Sequence, residues 1–333
     1  MVLLSSISIV RAQKSVLPEF HYDTAYFTNF DNNLAVRLVS PHRLFSFNIK
    51  NTDNGEKYSY RPNLHFGMGV GFTYKWLAID ITFSPDFTSR NNEKYGKTKE
   101  FNLEASFYLR NNIISFMFRR YQGMYESNPE DYIDGWEKGM NHPQRPDLNS
   151  IAVDINYSIP LNPTKYSMRS TFLLDGRLKK SSGSFIGIPS MYYYHAQADS
   201  SMLPIGFEDK FPDEANITAM NFLLLGGAFG YAYTFVIRDF YFTLSALPAF
   251  SINMGKVKSD AGDYGVKPLS FKFSSKNGFG YNSRRWYTGI YFVYDFNNVR
   301  LENNLNFANN LGGWRIFVGY RIKAPKVLKK YVD

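Results

Sequence analysis

Several segments of this chain alternate strictly between large apolar and small or polar side chains. The alternation is complete in 77–84, and it recurs in 101–110 and in 151–159. A period of two residues predicts strands with one apolar and one polar face. Because the polar face carries charges along its length, we expect the apolar face to point outward to lipid and the polar face to point into a lumen. The pattern therefore predicts an all-β, transmembrane, antiparallel β-barrel.

Turn signals divide the chain into about twelve strands, with ten or fourteen as alternatives. With twelve strands, the tight turns, such as Lys75–Trp76 and Arg238–Asp239, fall on one side of the membrane. Fourteen strands would require splits at Gly183 and at Asn297–Asn298. Outer-membrane barrels have short periplasmic turns and long extracellular loops, which favours twelve. Three long loops then fall on the outer side: 123–147, 191–215 and 255–265.

Two connections in the second half of the chain are predicted from turn-forming residues alone. Residues 161–163 are expected to turn into the seventh strand, which would start at Lys165 and bend near Gly183. Residues 309–313 are expected to turn from the eleventh strand into the twelfth, because Asn and Gly are common turn residues.

Composition supports a single barrel domain. The 333 residues include 30 Phe, 25 Tyr and 4 Trp, while the mean hydropathy is −0.32. Many aromatic residues around a thin apolar band are typical of a membrane barrel with interfacial aromatic girdles. The sequence contains no run of eighteen apolar residues, so no transmembrane helix is predicted.

The termini suggest export to the bacterial outer membrane. Residues 1–12 are predicted to be the remainder of a cleaved signal peptide, with Val10 and Ala12 at the small-residue positions of the cleavage site. The absence of cysteine excludes disulfides and thiolate metal sites. The rest is divided into a periplasmic segment, the barrel and a basic periplasmic tail: 13–33, 34–322 and 323–333.

The chain is basic, with a formal net charge of +9. This balance favours contact with lipopolysaccharide and other outer-membrane lipid, or with anionic solutes. A small polar solute and envelope proteins are the other candidate partners. Binding to nucleic acid is not expected, because no helix or basic–aromatic patch supports it.

If the polar positions of each alternating strand point inward, ten charged side chains lie in the lumen. Opposite charges can pair across a narrow barrel, which leaves open a rigid salt-bridged interior or a path or cavity for a solute. Alternating glycines at 67, 69 and 71 are expected to leave room for a bulky side chain or to let the strand bend. The predicted lumen-lining residues are Asp80, Glu104, Arg110, Arg119, Asp154, Arg169, Asp175, Asp295, Arg315 and Arg321.

Catalytic and metal sites find little support in the sequence. None of the five histidines lies in a nucleophile motif, so an enzyme is not predicted. Protease chemistry from Asp131, Asp134 and His142 at a loop rim is left open. The acidic stretch 208–214 lacks the ligand spacing of a calcium loop, and neither metal nor cofactor is predicted.

Glycine- and tyrosine-rich segments resemble those of one known family. They are 58–63 and 74–77, followed by 230–235, 280–282 and 319–326. In these segments the chain resembles an uncharacterised family of Bacteroidetes outer-membrane proteins, domain of unknown function 4421. The resemblance spans about Leu34 to Lys326. It implies an outer-membrane barrel and transfers no catalytic residue.

We therefore expect a narrow channel or a binding barrel for small polar or anionic solutes. A structural or assembly barrel that binds envelope proteins is the first alternative. A lipid-modifying enzyme of the outer membrane is the second.

Overall fold

The computed structural model describes residues 22–64, 66–85, 91–109, 111–173 and 176–325. Twelve strands, named β1 to β12 in chain order, pair antiparallel with their neighbours, and β12 closes the ring onto β1. The predicted antiparallel barrel of twelve strands is confirmed. The strands are β1 Asn33–Asn51, β2 Met68–Tyr74, β3 Leu77–Phe83, β4 Lys99–Leu109, β5 Asn112–Glu126, β6 Gln144–Pro160, β7 Ser182–Gln197, β8 Ile217–Ile237, β9 Phe240–Ser259, β10 Leu269–Asn282, β11 Trp286–Arg300 and β12 Leu305–Lys323.

The outward face of the ring is apolar, as the alternation predicts. In β9, for example, Phe250 is 69% exposed, whereas its neighbours Ala249 and Ser251 are buried. Aromatic rings gather on this face near one end of the barrel, where Trp76 stacks on Phe107 and Trp286 contacts Tyr320. An apolar belt with an aromatic rim is the surface that a bilayer solvates.

The two ends of the barrel differ in their connections. We call one the turn end, because tight connections such as 75–76, 238–239 and 283–285 lie there. The other is the loop end, where the longer connections lie, including 127–143, 198–216 and 260–268. The last connection at the loop end is a short turn at 301–304, in which Asn303 and Asn304 have positive φ.

The described helices are all short. They are the α-helix Asn92–Tyr95, the π-helical turn Arg169–Leu173 and three 3₁₀ turns, Pro129–Asp131, Glu208–Lys210 and Asp213–Ala215. Within the described part of the chain, no helix is long and apolar enough to cross a bilayer.

The turn end is filled by a plug, which we define as 22–32 together with 161–173 and 176–181. A short strand Phe27–Asn29 pairs antiparallel with Gly176–Leu178 inside this plug. Its buried Phe27 and Leu178 pack against Val39, Tyr287 and Phe317 of the barrel wall. The prediction that the seventh strand starts at Lys165 is therefore wrong: residues 165–173 and 176–180 belong to the plug, and the strand starts at Ser182.

The loop end is filled by an aromatic core. Phe307 of β12 contacts Tyr194 of β7 and Phe222 of β8, with ring centroids 5.2 and 5.0 Å apart, so these side chains meet across the lumen. The short strand Lys57–Arg61 pairs with β1 and β5 and adds the buried Tyr58 and Tyr60. The 198–216 connection folds inward and adds further buried side chains: Met202, Leu203, Phe207, Phe211 and Ala215.

The predicted turn at 309–313 between the eleventh and twelfth strands is also wrong, because these residues continue β12. Asn309 is fully buried there and donates through Nδ2 to the hydroxyl of Tyr192 on β7 at 3.0 Å. The predicted signal peptide, residues 13–21 and the tail beyond residue 325 lie outside the described residues.

Candidate functional site

A chamber of about 270 Å³ lies midway along the lumen, between the aromatic core and the plug. Tyr192 and Leu311, both members of the aromatic core, form its roof. Phe172 of the plug and Tyr291 of β11 lie at its floor, where the Tyr291 hydroxyl donates to the carbonyl of Thr171 at 2.9 Å. The chamber has room for roughly nine water molecules at about 30 Å³ each.

A network of ion pairs, which we call the paired wall, lines one side of the chamber through Arg43, Glu104, Arg119 and Arg315 and continues behind these residues. At its centre, Asp80 of β3 accepts from Arg37 Nε on β1 at 2.8 Å and from Arg315 Nη1 on β12 at 3.0 Å. Arg37 also donates through Nη1 to Thr73 at 2.7 Å. Each oxygen of Asp80 thus has its own guanidinium, which is the arrangement that a buried carboxylate needs.

The paired wall continues along β4 toward the loop end. Glu104 accepts from Arg315 Nη2 at 2.6 Å and lies 3.6 Å from Arg119 Nη2 of β5. Arg43 of β1 pairs with Glu100, and both side chains are buried. The paired wall therefore consists of Arg37, Arg43, Asp80, Glu100, Glu104, Arg119 and Arg315.

Strand order shows that these pairs form inside the ring. Arg315 lies on β12 and Glu104 on β4, with β1, β2 and β3 between them. Side chains that meet across three intervening strands can do so only on the concave face of a closed sheet. The charged face predicted from the alternation is therefore the lumenal face.

Gly71 of β2 makes the centre of the paired wall possible. A methyl group at this position would overlap Asp80 Oδ1 and the Arg37 side chain. The glycine clears the space in which the two charged groups meet, one of the two roles that the alternating glycines suggested.

The opposite wall also carries charges of both signs, but with lysines in place of arginines and in a different arrangement. We define it as Asp154 of β6, Lys272 and Lys276 of β10 and Asp295 of β11, all half-buried and all lining the chamber. In the described chain, none of these four forms an ion pair within 4.0 Å, whereas the paired wall forms several. Asp154 accepts from Asn156 Nδ2 at 2.9 Å, and Lys272 Nζ lies 5.3 Å from the centre of the Tyr192 ring.

Two predicted lumen residues lie near the turn end, away from the chamber. Arg169 belongs to the plug instead of a wall strand, and there it pairs with Asp31 at 2.6 Å and lies over the Tyr108 ring. Arg321 of β12 donates to Asn282 Oδ1 at 2.9 Å and lies over the Tyr287 ring. Arg110 and Asp175 lie outside the described residues.

Polar groups at the loop end hold the connections in place. Tyr60 donates to the carbonyl of Met202 at 2.5 Å, and burial raises the pKa of its hydroxyl, with Glu126 adding to the effect. Burial likewise raises the pKa of Tyr132, which hydrogen-bonds to Glu126. These tyrosines stay neutral, so they act as hydrogen-bond donors between loops.

Two members of the Asp/His group left open at the loop rim, His142 and Asp131, have separate partners. His142 Nδ1 donates to the carbonyl of Glu126 at 2.7 Å, and the imidazole is enclosed by the rings of Tyr95, Tyr125 and Trp136. Asp131 accepts from Asn128 Nδ2 at 2.8 Å. Among the described residues, no group of three or more acidic or histidine side chains is placed to hold a metal ion.

The chain matches the family described as Domain of unknown function (DUF4421) over residues 21–322. The chain belongs to this family. Curated proteins give no match to the sequence.

Solved structures that share features of this fold are outer-membrane proteins. The outer membrane protease OmpT from Escherichia coli is 11% identical, with a TM-score of 0.40, covering 90% of this chain and all of that one. Neisserial surface protein A is 9% identical with a TM-score of 0.25, covering 85% and 96%. An anion-selective porin from Comamonas acidovorans is 9% identical with a TM-score of 0.17, covering 87% and 100%. These are distant likenesses, and the barrel assignment rests on strand pairing.

Five charged residues of the lumen were missing from the lumen prediction, and three of them, Arg43, Lys272 and Lys276, line the chamber. All five share the inward parity of their strands, so the alternation contained a signal for each. On β10, Phe271 and Phe273 alternate with polar residues at 272, 274 and 276. On β1 the signal is masked, because its inward residues near the loop end are apolar as well. The missed residues are Arg37, Arg43, Glu100, Lys272 and Lys276.

Proposed function

We propose that this protein is an outer-membrane barrel that binds a small polar solute in the central chamber. The observation that carries the proposal is a chamber with charged, half-buried side chains between two filled ends of the lumen. Charged groups in a confined space lose much of their hydration, and a polar ligand can replace it.

A binding barrel fits this lumen better than a permanently open channel. The aromatic core brings side chains of β7, β8 and β12 into contact across the bore at the loop end. The plug is held at the turn end by Arg177 to Asp239 at 2.5 Å and by Asn282 Nδ2 to the carbonyl of Gly176 at 2.7 Å. A solute would enter or leave the chamber only when one of these layers moves.

The proposal places the loop end outside the cell and the plug in the periplasm. It includes a Bacteroidetes origin and removal of residues 1–12 by signal peptidase, which the mass of the mature N-terminus would test. Exposed basic residues fit contact with lipid phosphates: Lys99 and Arg120 flank the outward Phe101 of β4. Such pairs of basic and aromatic residues suit the lipid headgroup boundary.

Two measurements on the purified barrel test the proposal. In planar bilayers the wild type should show no steady conductance, because both ends are filled. In equilibrium dialysis against panels of amino acids, small carboxylates, amines and monosaccharides, at least one compound should bind saturably at one site per barrel. A Lys272→Met variant should weaken that binding, whereas the exposed Lys258→Met should not. Stable open-channel conductance, or no saturable binding from any panel, would overturn the proposal.

A further inference from the structure

The opposite wall of the chamber presents two cations and two anions that do not neutralise one another by contact. In the β10–β11 register, Asp295 lies opposite Ser274, so Lys272 and Lys276 are its diagonal neighbours. Diagonal neighbours lie about 7–8 Å apart, which long side chains can span, yet in the described chain neither lysine forms an ion pair with Asp295 within 4.0 Å. Asp154 faces this group from β6, and Lys272 interacts electrostatically with both Asp154 and Asp295.

These charges contrast with every other acidic group that lines the chamber. Glu104 is held by Arg315 and Arg119, and Asp80 behind it by Arg37 and Arg315. The paired wall therefore neutralises its charges by direct ion pairs, whereas the four charges of the opposite wall form none within 4.0 Å in the described chain. Asp154 has a hydrogen bond from Asn156 instead, and Lys272 lies over the Tyr192 ring. Partly buried charges without a partner are costly unless another group meets them.

The composition of the opposite wall selects the class of ligand. A simple anion would satisfy Lys272 and Lys276 and leave Asp154 and Asp295 facing the same confined space. A simple cation would leave the two lysines in the same position. Only a ligand that carries both a cationic and an anionic group can form ion pairs with all four side chains.

Resting on the binding function proposed above, we infer that the chamber binds a small zwitterion of the free amino acid class. Its carboxylate would lie between Lys272 and Lys276, and its ammonium group between Asp154 and Asp295. The volume of about 270 Å³ lies just below the range of about 300–1,000 Å³ for drug-sized ligands, which fits so small a molecule. Phe172, Met117 and Ile188 line the remaining surface and can contact an apolar side chain of the ligand.

Matched probes test this inference on the intact wild-type barrel in detergent. Isothermal titration would compare L-alanine and L-leucine with propionate and 4-methylpentanoate, which lack the ammonium group. Ethylamine and 3-methylbutylamine, which lack the carboxylate, complete the set. At least one amino acid should bind, and its two truncated counterparts should bind at least tenfold more weakly. If a carboxylate or an amine binds as tightly as its amino acid, the zwitterion inference is wrong and the binding function stands.

Variants of the opposite wall provide a second test. Asp295→Asn keeps the shape of the side chain and should lower amino acid affinity at least tenfold, as should Lys276→Met. Lys258→Met, exposed on β9, removes the same charge outside the lumen and should bind as the wild type does. Heat-modifiable migration on a gel would confirm that each variant is folded. Unchanged affinity in both chamber variants would overturn the inference, and failure of every probe and every panel compound would overturn the binding function as well.

Discussion

The two walls of the chamber both contain acidic and basic side chains, but only the paired wall joins them in ion pairs within 4.0 Å among the described residues. In the paired wall, Asp80 accepts hydrogen bonds from two arginines. Gly71 has no side chain that would occupy the space where these groups meet. In the opposite wall, Lys272 and Asp295 lie on adjacent strands without such contact. Under the binding function proposed above, charge in this lumen has two roles: one set of side chains fixes the positions of distant strands, and the other is available to a solute.

The largest decrease in the free energy of unfolding should come from removing the central carboxylate of the paired wall, Asp80. Asp80→Asn leaves Arg37 and Arg315 buried with reduced compensation, and breaking a buried pair typically costs about 3–5 kcal/mol. Urea unfolding of the barrel in lipid vesicles, followed by tryptophan fluorescence, would measure the loss.

An exposed pair provides the control for this variant. Asp263 lies 2.9 Å from Lys256, and both side chains are well exposed to solvent. Asp263→Asn should cost no more than about 1 kcal/mol. Equal losses for the two variants would mean that the paired wall does not fix strand positions.

A smaller decrease in the free energy of unfolding should follow from placing a methyl group in the space beside Gly71. Gly71→Ala forces the Arg37–Asp80 contact to shift, and overpacking of this kind costs about 1–3 kcal/mol. Gly187→Ala on β7 is a matched control, since a methyl group there meets no atom within 4 Å. If both variants unfold at the same urea concentration, the glycine has no role in the pairing.

Much of the barrel wall could be predicted from the sequence, because alternation depends on one physical requirement. Lipid outside and polar groups inside constrain every strand in the same way, so strand number and the tight turns at 75–76 and 238–239 follow from local residues. The chamber charges also obey this parity. Asp80, Glu104, Arg119, Asp154, Asp295 and Arg315 all lie at the inward positions where the alternation places them.

The plug and the pairing could not be predicted in the same way. Tyr166 and Met168 are apolar and alternate with polar residues, but they are buried against the inside of the wall instead of facing lipid. Local sequence cannot separate these two environments, because both select the same pattern. Residues 309–310 resemble a turn, but Asn309 pairs with β1 and β11 and donates to the distant Tyr192, and none of these partners is visible in the local sequence. Whether a charge is paired depends on strands far apart in sequence, such as β12 and β4.

Acid should destabilise the loop end through His142, which lies in the 127–143 connection. Burial and the charge of nearby Lys94 lower the pKa of His142 below its ordinary value of about 6.5, although its hydrogen bond to Glu126 opposes the shift. The unfolded chain therefore takes up this proton first as the pH falls. The stabilisation is fully present above pH 6.5 and is lost as the pH falls through the unfolded pKa toward the folded one.

His142→Gln should therefore flatten the dependence of unfolding free energy on pH between about 7 and 5. Urea midpoints at several pH values would show this, and the slope is the quantity to compare, because the substitution also changes contacts with Tyr95 and Trp136. A slope equal to that of the wild type would assign the acid sensitivity in this range to other groups.

The smallest effect on stability should come from the opposite wall, and it is the strictest test of the comparison. Asp295 has no ion-pair partner within 4.0 Å in the described chain, so Asp295→Asn removes no contact of the kind that holds Asp80. We expect a change within about 1 kcal/mol in the absence of ligand, measured by the same urea unfolding. A loss as large as that of Asp80→Asn would mean that Asp295 also fixes the fold. The near-neutral result would instead show that this barrel keeps a charge inside its lumen which its own stability does not require.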